Sequence, residues 1–385
     1  MMWEKVKLGD IASFSNGINF NKTAYEKGVK LIGVSNFGDR FYPDYLQLQE
    51  LKKDIVRPED CLRNGDIVFV RSNGNKELVG RCMLVKNPTE RVTYSGFCIR
   101  ARLNDTDRYD PVYFTYYFKS KAFRRAVSGT AVGANIQNLS QARLSNHDCN
   151  VPDIETQHRI ADILSAYDDL IENNQKQIKL LEEAAQRLYK EWFVDLHFPG
   201  HENTKIVDGV PEGWHRGTVG QIAEFKRGRT ITKAQVKGGN VPVVAGGLEP
   251  AYYHNVANTK APVITISASG ANAGFVRLYG VDVFASDCSF VDGLGTESLF
   301  FVYEFLKESK VSIDQLQKGS AQPHVYAKDI NAMKITIPEK EYLERFDRYA
   351  KVYFNKIKTL QGQNERLKTA RNLLLAKLMS GEVEV

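Results

Sequence analysis

Near its start the chain reads Trp3-Glu4-Lys5-Val6-Lys7-Leu8-Gly9-Asp10-Ile11-Ala12-Ser13-Phe14-Ser15-Asn16-Gly17, and this pattern returns 211 residues later as Trp214-His215-Arg216-Gly217-Thr218-Val219-Gly220-Gln221-Ile222-Ala223-Glu224-Phe225-Lys226-Arg227-Gly228. Trp, Gly, Ile, Ala, Phe and Gly recur in register between the two copies. An internal repeat of this kind indicates that one structural unit is used twice in the same polypeptide.

A second match marks the end of each copy. The series Leu139, Leu144, Cys149, Val151 and Pro152 aligns without a gap, 186 residues later, with Val325, Ile330, Ile335, Ile337 and Pro338. A long helical pattern follows each series. The repeated unit is therefore a domain plus a helix, and two such units predict a pseudo-twofold molecule that meets a pseudo-twofold partner.

Length and composition indicate a folded globular protein. The 385 residues fit two to three domains, and 43% apolar with 25% charged residues is ordinary for a chain that buries a core. No stretch approaches the roughly 18 apolar residues of a membrane span, and the first residues lack the apolar core of a signal peptide. We therefore expect a cytoplasmic protein. The five cysteines contain no CxxC pair, so neither a disulfide framework nor a zinc site is indicated.

Charge is distributed unevenly within the net +6. Residues 1–150 carry 23 Lys and Arg against 16 Asp and Glu, whereas residues 151–200 carry 5 against 10. The basic surplus of the first domain favours a polyanionic partner. Residues 201–337 are nearly balanced, so a nucleic-acid surface there would depend on local clusters such as Lys226-Arg227-Gly228-Arg229.

Two seams of apolar residues predict two long helices that pair. One runs from Ile160 to Trp192 and the other from Phe346 to Leu378, each with alternating steps of four and three. If the helices are antiparallel, residues whose numbers sum to 538 face each other, and Asn174 then meets Asn364. A buried Asn pair of this kind fixes register at some cost in stability. The first seam spans roughly 50 Å at 1.5 Å per residue, enough to hold two domains apart.

Signatures of catalysis are scarce in the sequence. The phosphate loop GxxxxGK[ST] and the dinucleotide motif GxGxxG are both missing, and Asn87-Pro88-Thr89-Glu90 lacks the second Pro and the aromatic residue of an amino-methyltransferase motif. One alternative is a nuclease site built from Asp44, Glu50 and Lys52, whose residue types could bind magnesium and activate water. The short interval between Asp44 and Glu50 and the lack of a counterpart in the second half argue against it.

Polar loops that follow short β-like runs are the candidates for DNA reading, because recognition side chains often lie on loops of a rigid scaffold. Arg and Lys can bind phosphate or guanine, and Asn or Gln can bond adenine in the major groove. The candidates in the first half are Arg71, Ser72, Asn73, Asn75, Lys76, Asn135 and Gln137. Those in the second half are Lys226, Arg227, Arg229, Ser269, Asn272, Gln322 and His324.

Over essentially its whole length the chain resembles the specificity subunits of type I restriction-modification enzymes. The motifs that carry this resemblance are Pro211-Glu212-Gly213-Trp214, Gly9-Asp10-Ile11, Gly220-Gln221-Ile222, Gly65-Asp66-Ile67, Gly319-Ser320-Ala321-Gln322, Val151-Pro152 and Ile337-Pro338. Their order and duplication are specific, although each motif alone is weak. The first half departs from the pattern, with Gly129-Thr130-Ala131-Val132 where the second has Gly-Ser-Ala-Gln.

The resemblance implies an α+β fold with two pseudo-twofold-related mixed α/β target-recognition domains, at residues 1–150 and 201–337. An antiparallel two-helix coiled-coil spacer, from residues 151–200 and 338–385, would separate them. Each domain would read one half of an interrupted target in double-stranded DNA. The subunit itself would be non-catalytic and bind no cofactor or metal; two modification subunits would methylate adenine with S-adenosylmethionine, and motor subunits would cut DNA in the complete enzyme. The alternative is a scaffold whose domains bind proteins rather than DNA.

Overall fold

The computed structural model describes residues 3–38, 40–73, 75, 78–127, 137–319 and 322–385. The chain forms two units, one of residues 1–172 and 364–385 and the other of residues 173–363. Both contain helices and sheets, which confirms the predicted α+β fold class with two domains. No described helix is long and apolar enough to cross a membrane.

The elements of the first unit begin with a short strand and end at the first long helix. In chain order they are β1 (Glu4–Lys7), α1 (Leu8–Ile11), β2 (Ala12–Asn16), β3 (Tyr25–Ile32), β4 (Gln49–Leu51), β5 (Ile67–Val70), β6 (Ser72–Asn73), β7 (Cys82–Leu84), β8 (Val92–Tyr94), β9 (Cys98–Leu103), α2 (Pro111–Lys119), α3 (Lys121–Val127), β10 (Gln137–Asn138), α4 (Gln141–Ser145), β11 (Asp148–Val151) and α5 (Ile154–Tyr189). The second half of α5 belongs to the second unit.

The second unit continues with a π-helical turn at Lys190–Val194 and ends in the second long helix. Its elements are β12 (Ile206–Val207), β13 (Val210–Pro211), β14 (His215–Thr218), α6 (Val219–Ile222), β15 (Lys226–Arg227), β16 (Val241–Val244), β17 (Tyr252–His254), β18 (Val263–Ser267), β19 (Val276–Tyr279), β20 (Phe284–Ala285), β21 (Cys288–Asp292), α7 (Leu299–Glu308), α8 (Lys310–Gln315), α9 (Ala327–Asn331), β22 (Lys334–Ile337) and α10 (Lys340–Ser380). The last part of α10 belongs to the first unit.

The sequence repeat is a structural repeat, because three sheets of the first unit match three sheets of the second in strand order and pairing. A four-stranded antiparallel sheet has the order β2-β9-β5-β7 in one unit and β15-β21-β18-β19 in the other. A three-stranded sheet has the order β4-β3-β8 or β17-β16-β20, with one antiparallel and one parallel pair each. Antiparallel two-stranded pairs, β1 with β11 and β14 with β22, complete the match.

The central strands of the four-stranded sheets are built from β-branched and aromatic residues. Ile67–Val70 (IVFV) and Val263–Ser267 (VITIS) are buried at every position, as expected of strands covered on both faces. The motif Gly65-Asp66-Ile67 lies where a turn leads into β5, which begins at Ile67.

Two repeated glycines, Gly17 and Gly228, are explained by close backbone contact. A Cβ atom added to Gly17 would lie 2.2 Å from the carbonyl oxygen of Tyr94, and one added to Gly228 would lie 2.3 Å from that of Ser286. Both contacts are far inside van der Waals distance and involve backbone that has no flexible end to move. Only glycine fits where β2 and β15 end.

In the first unit, the long helices pack antiparallel on the sheet domain. Ile160 and Leu164 of α5 share a buried core with Leu375 and Leu378 of α10. Farther along α5, Asp168 forms an ion pair with Arg371 of α10 and accepts a hydrogen bond from the Tyr116 hydroxyl of α2 (2.6 Å). As residue numbers rise on α5 they fall on α10, so the helices run in opposite directions here.

In the second unit the π-helical turn that continues α5 packs against α10 near its start. The rings of Trp192 and Phe346 lie 6.2 Å apart, a pair whose numbers sum to 538 as the seam predicts. Asp347, one residue farther along α10, accepts the backbone N–H groups of Phe300 (3.2 Å) and Phe301 (2.9 Å) at the start of α7. Burial nevertheless raises the pKa of Asp347 to about 7.

The two seam asparagines, Asn174 and Asn364, are buried. Burial of a polar amide on an otherwise apolar seam agrees with a role in register. Their pairing with each other stays a prediction.

Candidate nucleic-acid interface

In the first unit, several of the predicted DNA-reading residues lie on a short antiparallel ladder of two strands, β6 and β10. Ser72 pairs with Asn138 and Asn73 with Gln137, so β6 and β10 are antiparallel although more than sixty residues separate them. The N–H of Leu139 donates to the carbonyl of Arg71 (2.9 Å) and extends the ladder. Lys76 and Asn135 lie outside the described residues.

Arg71 is anchored at the end of β5. Its backbone N–H donates to the carbonyl of Phe97 (2.8 Å), and its guanidinium donates to the carbonyl of Gly96 (3.2 Å). A guanidinium has five N–H donors, so this bond orients the group and leaves others for a ligand. Next to the ladder, Asn75 is exposed and its N–H donates to the Asn73 side chain (2.7 Å).

The second unit has the equivalent ladder, from the loop after β18 and the loop before α9. Ser269 forms an antiparallel bridge with His324, the N–H of Gly270 donates to the carbonyl of Pro323 (3.1 Å), and the N–H of Val325 donates to that of Ala268 (3.0 Å). Two loops that the sequence analysis proposed separately are thus brought together.

A charged and hydroxylated cluster lies beside this second ladder. The carboxylate of Asp287 accepts a hydrogen bond from the Ser269 hydroxyl and forms an ion pair with Arg227 (3.3 Å). Arg227 is in β15, which pairs with β21 immediately after Asp287. The predicted residues Arg227 and Ser269 are therefore linked through an acidic residue that the sequence analysis did not propose.

An aromatic pair extends the surface next to the ladder. The rings of His324 and Tyr326 are stacked, with centroids 6.0 Å apart and planes 15° from parallel, and the ammonium groups of Lys318 and Lys328 each lie 5.9 Å from the Tyr326 ring centre. Cationic groups around an exposed ring form a surface that suits a nucleic-acid backbone and its bases. Tyr326 was missed because a single Tyr before a helix has no distinctive sequence signal.

The remaining predicted residues of the second unit are less constrained. Lys226, Arg229 and Gln322 are exposed, and Asn272 is half-buried in the 3-10 turn Gly270–Asn272. Arg229 is fixed through its backbone N–H, which donates to the carbonyl of Ala285 (2.9 Å). Long basic side chains held only at the backbone can adjust to phosphate positions.

The alternative nuclease residues have other structural partners. Asp44 forms an ion pair with Arg40 (2.7 Å), Glu50 accepts the backbone N–H of Gly28 (2.7 Å), and Lys52 pairs with a neighbouring glutamate at 3.7 Å. Among the described residues, no group of three His, Cys, Asp or Glu side chains could hold a metal ion. The nuclease hypothesis therefore gains no support from the geometry.

The cysteines near the ladders are buried and free. Burial raises the pKa of Cys98 and of Cys288 to about 12, so both thiols are protonated at neutral pH. A protonated buried thiol is a poor nucleophile and a poor metal ligand. These residues act as small apolar side chains at the starts of β9 and β21.

Residues 2–183 and 211–369 match the family model of the type I restriction modification DNA specificity domain. The chain belongs to this family. The two matched segments correspond to the two repeats, and the resemblance inferred from the sequence motifs is confirmed.

Curated relatives of this family cover most of the chain. The chain is similar to the type I restriction enzyme MjaIX specificity subunit of Methanocaldococcus jannaschii, with 26% identity over 80% of this chain and 76% of the relative. It is also similar to the type I restriction enzyme HindI specificity subunit of Haemophilus influenzae, with 23% identity over 99% of each. Among solved structures, a type I restriction-modification S subunit from M. genitalium matches with a TM-score of 0.58 at 18% identity, covering 98% of this chain and 96% of that one. That likeness concerns the fold.

Proposed function

We propose that the chain is the DNA-reading subunit of a type I restriction-modification system, in which each unit reads one half of an interrupted target. The observation that carries the proposal is the duplicated ladder: both units present the same backbone framework, with Arg71-Ser72-Asn73 on one and Ala268-Ser269-Gly270 on the other. Identical frameworks with different side chains suit a protein that reads two different half-sites with one docking geometry.

The partners follow from the family. Two modification subunits would bind S-adenosylmethionine and methylate adenine, restriction and motor subunits would join them in the complete enzyme, and the long helices would dock the modification subunits and set the gap between half-sites. The residues proposed to contact DNA are those of the two ladders and the basic side chains beside them. The chain itself supplies recognition and assembly rather than a reacting group.

The test replaces one arginine at a time and reads the target. The chain, wild type or carrying Arg71→Ala or Arg227→Ala, is combined with its modification subunits, and methylated DNA is sequenced at single-molecule level. Each substitution is expected to relax base preference in one half-site only, by roughly 5-fold to 150-fold at the affected position, because a lost base contact costs about 1–3 kcal/mol. The matched control is Arg63→Ala, since Arg63 is exposed and precedes β5 whereas Arg71 follows it.

Two outcomes would contradict the proposal. Loss of selectivity in both half-sites from either substitution alone would exclude one unit per half-site. A wild-type complex without salt-dependent DNA affinity would favour the protein-binding scaffold, because phosphate contacts make affinity fall steeply with salt.

A second test concerns the proposed spacing role of the helices. Inserting seven residues at facing positions of α5 and α10 adds about 10 Å of helix, and the gap in the methylated target is expected to lengthen by about 3 base pairs. The same seven residues added after Val383 serve as the control and should leave the gap unchanged. An unlengthened gap with both insertions in place would refute the spacing role.

A further inference from the structure

One turn position is structurally equivalent in the two units but carries opposite chemistry. The carbonyl of Phe97 accepts the N–H of Arg71 (2.8 Å), and the carbonyl of Asp287 accepts the N–H of Ala268 (3.2 Å). The next residues, Cys98 and Cys288, open the matching strands β9 and β21. Phe97 and Asp287 therefore occupy the same place beside the two ladders.

A further pair of hydrogen bonds supports this equivalence. The N–H of Gly17 donates to the carbonyl of Cys98 (3.2 Å), and that of Gly228 donates to the carbonyl of Cys288 (2.8 Å). Gly17 and Gly228 are the final residues of the opening sequence repeat. The two turns are thus aligned by two pairs of backbone hydrogen bonds, one at Phe97 and Asp287 and the other at Cys98 and Cys288.

In the first unit the position holds an exposed aromatic ring. Phe97 is 60% exposed, although burying a Phe side chain typically stabilises a protein by about 1.5–3 kcal/mol. Its backbone is bonded to two polar residues of the ladder, since its carbonyl accepts the N–H groups of Arg71 (2.8 Å) and Ser72 (3.4 Å). An apolar ring fixed at the edge of a polar recognition surface is suited to contact another apolar surface.

In the second unit the same position holds a carboxylate that is bonded to two neighbouring side chains. Asp287 binds the Ser269 hydroxyl and is paired with Arg227, whose side chain is otherwise exposed. A carboxylate beside a guanidinium limits the directions in which the guanidinium can point. Asp287 can thereby orient Arg227 toward a base edge that offers acceptors, such as guanine.

We propose that this turn position determines base preference in both half-sites: Phe97 contacts a thymine methyl group in the major groove, and Asp287 acts as a positioning residue for Arg227. Thymine is the base that presents an apolar group on its major-groove edge, and Phe is among the side chains that contact it. The inference rests on the proposed function, because it assigns residues within that DNA-reading role.

The experiment compares Phe97→Ala with a matched substitution in the same unit. Leu46 is 92% exposed and adjoins Tyr45, whose hydroxyl contacts the backbone of Lys86 beyond β7. Each variant is combined with modification subunits, and the methylated sequences are read at single-molecule level. Phe97→Ala is expected to lose thymine preference at one position of one half-site, by roughly 5-fold to 150-fold. Leu46→Ala is expected to match the wild type.

A base substitution isolates the methyl contact. Replacing the preferred thymine by uracil removes the methyl group alone, and it should weaken binding by the wild-type complex but leave binding by Phe97→Ala unchanged. In the second unit, Asp287→Asn should relax one position of the other half-site, and Asp287→Glu, which restores the carboxylate, should recover part of the preference.

The outcomes separate this inference from the function on which it rests. A wild-type complex that leaves no sequence-specific methylation refutes the proposed function. Specific methylation that is unchanged by Phe97→Ala overturns the inference alone, whereas equal disturbance of both half-sites would also contradict one unit per half-site. Equal sensitivity of wild type and Phe97→Ala to uracil would overturn the thymine contact.

Discussion

Replacing Asp66 by alanine is expected to lower the free energy of unfolding of the first unit by about 3 kcal/mol, as typically follows when one partner of a buried ion pair is removed. Asp66 is 1% exposed, and its carboxylate accepts two hydrogen bonds from the Arg102 guanidinium, both at 2.7 Å. It also accepts the backbone N–H of Arg63 (2.6 Å). Without the carboxylate, a half-buried guanidinium and a backbone donor lose their partner.

Urea titration of the full chain measures this effect. A loss of about 3 kcal/mol shifts the transition of the first unit by roughly 1–3 M urea at ordinary denaturant sensitivity. The matched control is Asp54→Ala, since Asp54 is exposed, and surface substitutions usually change stability by less than about 0.5 kcal/mol. Equal midpoints for the two variants would show that the Arg102 pair contributes little.

Asp66 also illustrates how far the sequence could predict the fold. Gly65-Asp66 followed by the β-branched run from Ile67 is a local signal of a turn before a strand. The partner of Asp66 is 36 residues away on β9 and has no local signal. Repeats and periodic helices were likewise predictable, since each is a pattern along the chain.

The candidate site was predictable only in part, because it is assembled from loops distant in sequence. The sequence indicated Ser269 and His324 in separate loops, and their adjacency depends on the bridge between them. Phe97 and Asp287 were missed because each is one residue within a short turn. Cys98 and Cys288 are 190 residues apart, and this offset would align Phe97 with Asp287. Only their backbone hydrogen bonds to Arg71 and Ala268 show that both lie beside the ladders.

Replacing Glu304 by glutamine is expected to raise the free energy of unfolding at neutral pH, and this is the second large effect. Glu304 lies in α7 and is 2% exposed. Burial raises its pKa to about 8; nearby Lys307 acts in the opposite direction, while the carboxylates of Glu182 and Glu308 raise the pKa further. The folded state therefore holds a proton that the unfolded chain, with an ordinary glutamate pKa of 4.5, releases at neutral pH.

The sign of the pH dependence follows from proton linkage. The pKa of Glu304 is higher in the folded state than in the unfolded state. The contribution of Glu304 to the free energy of unfolding is therefore fully present below pH 4.5 and is lost as the pH rises toward about 8. Glutamine has nearly the same size as glutamate but has no ionisable group, so its contribution does not change with pH. The advantage of Glu304→Gln should thus be small near pH 5 and grow to on the order of 3 kcal/mol at pH 7.

Urea titrations of wild type and Glu304→Gln at pH 5.5, 6.5 and 7.5 measure this advantage. Glu183→Gln is the matched control, because Glu183 is exposed on α5; its effect should stay within about 0.5 kcal/mol. A stabilisation that is the same at all three pH values would assign the effect to packing rather than to the buried charge. A destabilised variant at pH 7.5 would mean that the ionised Glu304 carboxylate is stabilised where it lies, with the charge of Lys307 outweighing the cost of burial.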